Sequence, residues 1–151
     1  MDINLLGKEI YGMPLDNTYY EKYISIFREE ISKIFNHDMI EISYEENFKN
    51  RGYFQLVLKY LPFQYFIVIE NEFRTFDIII KDSEGAANAL YRINHFDNRL
   101  DENNISKSLS LLKSVLEQNG FNLYLCINDK VYRKNANGIK RVKDLKELRN
   151  G

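Results

Sequence analysis

The stretch YFQLVLKYLPFQYFIVIENEFRTFDIIIK runs from Tyr53 to Lys81 and decides the fold. In its first part Phe54, Leu56, Leu58 and Tyr60 alternate with Tyr53, Gln55, Val57 and Lys59. Alternation with a period of two is the pattern of a half-buried strand. Leu61-Pro62 breaks the ladder, because proline has no backbone donor. Phe63 to Glu70 is almost entirely apolar, which predicts a central strand covered on both faces. Asn71-Glu72 reads as a tight turn, and Phe73 to Lys81 as the next strand, ending on Ile78, Ile79 and Ile80. Turns this short join antiparallel neighbours, so the segment predicts a meander.

On the amino-terminal side, Ile40, Ile42 and Tyr44 alternate with Glu41, Ser43 and Glu45, adding a strand before the Asn50-Arg51-Gly52 turn. Further upstream Tyr20, Tyr23, Ile24, Phe27, Ile31, Ile34 and Phe35 recur at three- and four-residue steps. Such steps place them on one stripe of a helix over Asn17–Phe35. Thr18 and Glu21 have capping-box spacing, and Asn36 and His37 close the helix.

On the carboxyl-terminal side the period changes. Asp82 or Ser83 can cap a helix to about Phe96, with Ala86, Ala89, Leu90 and Ile93 inward. After the polar link Asp97–Asn103, Ile105, Leu109, Leu112 and Leu116 mark a third helix, and Gly120 suits the position past its end. Phe121, Leu123, Leu125 and Ile127 form a strand that turns at Asn128-Asp129 into Lys130-Val131-Tyr132-Arg133. Asn135–Gly138 is a loop, and Lys143–Arg149 suggests a short last helix. The order α-β-β-β-β-α-α-β-β lacks regular βαβ alternation. It predicts an α+β fold: a mostly antiparallel sheet with helices packed on one face. The 151 residues suit a single domain over 1–151, with 1–14 and 135–151 loosely ordered.

Charge is unevenly spread. Residues 130–151 hold eight Lys or Arg against two acidic side chains, a net +6. The rest holds 13 basic against 20 acidic side chains, a net -7. An acidic body disfavours nucleic acid, since a polyanion is repelled over about a Debye length. No apolar run approaches the ~18–20 residues of a membrane helix. The amino terminus has no secretory pattern and there is one cysteine, so the expected compartment is the cytoplasm.

Groups capable of chemistry are sparse. His37 and His95 lie in different elements, and Cys126 has no local motif, so a packed or half-buried structural thiol is expected. Glu70, Glu72, Asp77 and Asp82 flank one hairpin beside Lys81, a set that could hold magnesium, but the tight spacing of metal nucleases is missing. No residue is assigned to catalysis, to a metal or to a cofactor. Phe121, Tyr124 and Tyr132 with the nearby cations could stack single-stranded bases, although aromatics also simply fill cores. The 11 tyrosines exceed what a core of this size absorbs, and tyrosine is favoured at the centres of protein interfaces. A protein partner is therefore expected. Glu41, Glu45, Glu46, Glu70 and Glu72 are the candidate steering charges, and Tyr44 and Tyr53 the candidate anchors. Exposed strand edges and apolar faces also leave room for a homodimer.

The segment Phe66-Ile67-Val68-Ile69-Glu70-Asn71-Glu72-Phe73, followed by Phe76-Asp77-Ile78-Ile79-Ile80 and a helix, resembles small immunity proteins of bacterial polymorphic toxin systems. The hairpin Asn128-Asp129-Lys130-Val131-Tyr132-Arg133-Lys134 and its basic tail are similar in style. The resemblance covers residues 15–145 in element order. It implies a small cytoplasmic protein that blocks a cognate toxin by binding it, and it carries over no individual functional position. Similar layouts occur in secretion chaperones and phage proteins.

Overall fold

The structure is a computed structural model that describes residues 17–144, 146 and 148. Helix α1 (Asn17–Phe35) leads through a 3-10 turn (Asn36–Asp38) into strand β1 (Met39–Asn47). Strands β2 (Tyr53–Tyr60), β3 (Tyr65–Glu72) and β4 (Thr75–Lys81) follow. Then come β5 (Ala87–Ala89), the single turn α2 (Leu90–Ile93) and helix α3 (Glu102–Gln118). Strands β6 (Leu123–Ile127), β7 (Lys130–Asn135) and β8 (Gly138–Arg141) end the sheet. All eight strands form one antiparallel sheet in chain order, an α+β fold.

One face of the sheet carries the core. Phe54, Leu56, Leu58 and Tyr60 of β2 stand beside Ile67 and Ile69 of β3 and Phe76, Ile78 and Ile80 of β4, all buried. The expected stripe of α1 packs on them: Phe27 meets Phe54 and Phe76, and Phe35 meets Tyr60, with ring centroids 5.2–6.1 Å apart. The α3 stripe of Ile105, Leu109, Leu112 and Leu116 is fully buried in the same cluster. Asp101 caps α3 by accepting from the backbone N–H groups of Asn103 and Asn104. At its other end Asn119, not Gly120, takes the left-handed conformation.

Asn71 ties this layer to its turns. It is buried; its Oδ1 accepts from the Phe54 N–H at 2.6 Å, and its Nδ2 donates to the Gly52 carbonyl at 2.9 Å. Gly52 has φ +71, and a Cβ there would lie 1.9 Å from the Tyr20 ring, so the turn admits no side chain.

Five expectations are corrected. The helix from Asp82 to Phe96 is replaced by β5 and the short α2. Asp82 Oδ1 accepts from the N–H groups of Glu84 and Ala86, and with Gly85 at φ +92 this turn diverts the chain into the sheet. The β3–β4 turn lies at Phe73-Arg74, because β3 runs on to Glu72. In β1, Ile40 and Ile42 are 44% and 50% exposed, and Met39 is the buried position. A bulge between Glu41 and Ser43 shifts the register of this edge strand. The chain stays in the sheet past Asn135, since Ala136-Asn137 is a hairpin turn into β8. Among the described residues, helices cover β3 on one side only. Residues 1–14 and, within Lys143–Arg149, positions 145, 147 and 149 lie outside the described residues.

Candidate functional site

Over β1–β4 the opposite face of the sheet carries none of the described helices; at β6 the Arg92 side chain of α2 reaches the ring of Tyr124 and donates to the Leu148 carbonyl, and the strand registers sort the residues of this face into rows. One row runs Glu45, Gln55, Glu70, Asp77 across β1–β4. Two residues along the strands a second row runs Ser43, Val57, Val68, Ile79, Ala89 across β1–β5. Two residues further, a third contains Ile40, Lys59, Phe66, Lys81 and Ala87 and continues through Tyr124, Arg133 and Lys140 to β8. The face thus has an acidic row, an apolar row and a basic row. Val68 at its middle is only 7% exposed, while Val57 and Ile79 beside it are partly exposed.

The acidic row is held against its own repulsion. Glu70 and Asp77 are directly opposite on adjacent strands, an unfavourable arrangement of like charges. Burial, the Glu70 carboxylate and Glu72 together raise the Asp77 pKa above its ordinary value. Burial, Glu70 and Glu45 likewise raise the Tyr53 phenol. Gln55 Nε2 donates to Glu70 at 3.2 Å, but among the described residues Glu45, Glu70 and Asp77 have no cationic partner. In the basic row the Lys59 ammonium lies 5.6 Å from the centre of the Phe66 ring, and Arg92 lies 5.6 Å from that of Tyr124.

The seven candidate residues fall into two groups. Glu45, Tyr53 and Glu70 share the uncovered face. Glu72 stands at its end, paired with Arg51 at 3.2 Å. Glu41, Tyr44 and Glu46 lie on the helix side of the β1 edge, because the bulge keeps Glu41 and Tyr44 on one side although three residues apart. There Arg28 of α1 makes a two-pronged contact with Glu41 at 2.9 and 3.1 Å and lies 4.7 Å above the Tyr44 ring. Tyr44 donates to Glu46, and burial together with that carboxylate raises its pKa. These three residues tie β1 to α1 and are occupied by each other.

The other candidates are dispersed. His37 is exposed in the 3-10 turn, and His95 stacks on Tyr91 at 4.6 Å. Cys126 is exposed, not packed, since it lies two residues from Tyr124 and so on the same face of β6, away from the core side of Leu123 and Leu125. Among the described residues no three His, Cys, Asp or Glu side chains stand close enough to hold a metal ion. Asp82 is held by Lys134 at 2.6 Å, on the helix side. The aromatic set divides: Phe121 packs on Tyr65 in the core, Tyr132 shares the helix side, and Tyr124 alone joins the basic row. No helix of the described residues is long and apolar enough to cross a membrane.

Sequence reasoning missed Val57, Val68, Ile79 and Asp77 as one surface with Glu45 and Glu70. The outward half of β2 was visible in its alternation. The outward half of β3 was hidden, because Phe66 and Val68 are as apolar as Ile67 and Ile69. No family model, curated protein or solved structure matches this chain.

Proposed function

We propose that this chain is a non-catalytic protein-binding module, an immunity-type inhibitor that neutralises a basic toxin domain in the cytoplasm by seating it on the uncovered sheet face. One observation carries the reading: among the described residues Glu45, Glu70 and Asp77 have no cationic partner, and they stand beside a row of partly exposed and buried aliphatic side chains. Carboxylates so placed steer a basic partner into encounter, and removing the Val57, Val68 and Ile79 row from water slows its release. The like-charge pair Glu70–Asp77 costs the free fold stability and is relieved when a cation arrives. Co-expression with the product of the neighbouring reading frame tests the reading. The two chains should co-purify, the host should survive the toxin, and Glu70→Lys with Asp77→Lys should abolish both. Absence of any retained partner, or equal protection by the variant, refutes it.

A second reading uses the other end of the face. Lys59, Phe66, Lys81, Tyr124, Arg133 and Lys140 fall in one cross-strand row, cations interleaved with rings. Such a row can track a single strand, with bases stacked on the rings. Binding of a labelled single-stranded oligonucleotide that weakens steeply with salt supports it, and salt-insensitive or absent binding removes it.

A further inference from the structure

The face that carries the proposed function is complementary to itself, and we infer that a second copy of this chain binds there, sheet against sheet, around a two-fold axis lying along the apolar row. The inference rests on the reading that this face is a recognition surface, and it names one partner for it.

The argument begins with what the rows cannot do within one chain. The acidic and basic rows are four residues apart along β2, β3 and β4, as in Asp77 and Lys81. At ~3.4 Å per residue that is ~14 Å, too far for the two rows to pair with each other. Among the described residues neither Lys59 nor Lys81 forms an ion pair, and neither do Glu45, Glu70 and Asp77. Among the described residues Lys59 and Lys81 on one side and Glu45, Glu70 and Asp77 on the other are without ion-pair partners, and each set has the charge that the other needs.

Symmetry then selects one arrangement. A two-fold axis parallel to the strands would set acid on acid and base on base. An axis along the apolar row reverses the strand direction and leaves the position across the sheet unchanged. Val57, Val68 and Ile79 then meet their own counterparts. Asp77 lies over the partner's Lys81, Gln55 over the partner's Lys59, and Glu70 over the partner's Phe66, between those two lysines. Sheets packed face to face keep their strands within ~30° of each other, which this arrangement satisfies. Each contact off the axis, such as Asp77 over the partner's Lys81, occurs twice, and the apolar residues on the axis meet their own counterparts, as an isologous interface requires.

The size is sufficient for a reversible dimer. Four strands at ~4.8 Å with a seven-residue length of ~24 Å, plus the three-residue β5, give a footprint of about 500 Å2 per copy, or about 1,000 Å2 in all. That is the size of weak, reversible complexes. A basic partner docking on the acidic row displaces the second copy, so the dimer is the form that holds the face covered until that partner arrives.

Sedimentation of the full chain tests this with two charge-reversed variants. Lys59→Glu with Lys81→Glu makes the face acidic at both ends, and Glu70→Lys with Asp77→Lys makes it basic at both ends. The wild type should dimerise and should dissociate as salt rises. Each variant alone should dimerise about tenfold or more less tightly, and an equimolar mixture should restore a heterodimer. The mixture also controls for folding, since a misfolded variant cannot be rescued by its complement. A monomeric wild type, a dimer indifferent to both variants, or a mixture that stays monomeric would overturn the inference. Capture of a basic toxin by a chain that proves monomeric would leave the proposed function standing; loss of capture with an intact dimer would remove that function alone.

Discussion

Replacing Asp77 with Asn removes one of two carboxylates that face each other across β3 and β4 while keeping the shape of the side chain. Like charges directly opposite in a sheet cost roughly 0.2–1 kcal/mol. Asp77 is exposed, so water screens the pair and about 0.5 kcal/mol is the expected gain for the monomer at neutral pH. For a domain of this size that raises Tm by about 1–2 °C. The pH dependence has a definite sign. Although its surface is largely open to water, partial desolvation against its strand neighbours, together with Glu70 and Glu72, raises the folded-state pKa of Asp77 above its unfolded value. The folded state therefore binds the proton more tightly, and the wild type loses stability as pH rises through that folded value. The advantage of the variant should be full at neutral pH and should vanish once both states are protonated. Urea unfolding at dilute protein, at neutral and at acidic pH, measures it. A variant that is less stable at neutral pH, or whose advantage grows on acidification, refutes the view that this row is strained by its own charge. The same substitution should weaken dimerisation, because it removes the charge set against the partner's Lys81.

Asn71→Leu should lower stability by about 3 kcal/mol in chemical denaturation, because the buried Phe54 N–H and Gly52 carbonyl lose their partners. Gly52→Ala should cost about 2–4 kcal/mol, combining left-handed strain with displacement of the Tyr20 ring, and a Tm within a degree of wild type would contradict that packing. Asp82→Asn bears on acid stability. Burial alone would raise the Asp82 pKa, but Lys134 and the N–H groups of Ala86 and Glu84 outweigh it and hold the pKa below its ordinary value. A depressed folded pKa supplies stability that is present above the unfolded value and is lost as pH falls through the folded one. The variant should therefore be less stable at neutral pH, by about 1 kcal/mol, and its acid unfolding should be shallower.

Much of the fold was legible because local signals agreed with burial. The α1 and α3 stripes, the alternation of β2 and the Asn128-Asp129 turn each carry one unambiguous period, and Asn128 and Asp129 take φ 50 and 64 as a primed hairpin turn requires. The losses occurred where a side chain answers to a distant element. Ala86, Ala89, Leu90 and Ile93 keep helical spacing, yet pairing of Ala87–Ala89 with β4 and β6 competes for the same backbone and wins. In β1 a single bulge moved Tyr44 to the side of Glu41, where Arg28 holds both. That is why Glu41, Tyr44 and Glu46, three of the seven candidate residues, bond to one another and to Arg28 on the helix side. The uncovered face could not be seen from sequence, because its rows exist only once the registers of five strands are fixed.

The account rests on the uncovered face being where this molecule is recognised. The most direct measurement is methyl NMR of the full chain, following Val57, Val68 and Ile79 on dilution and on addition of the neighbouring-gene product. The account predicts that these three methyl signals shift together in both titrations, while the signals of Ile105, Leu109 and Leu112 under α3 stay fixed. Shifts confined to residues on the helix side, with Val57, Val68 and Ile79 unmoved, would contradict it.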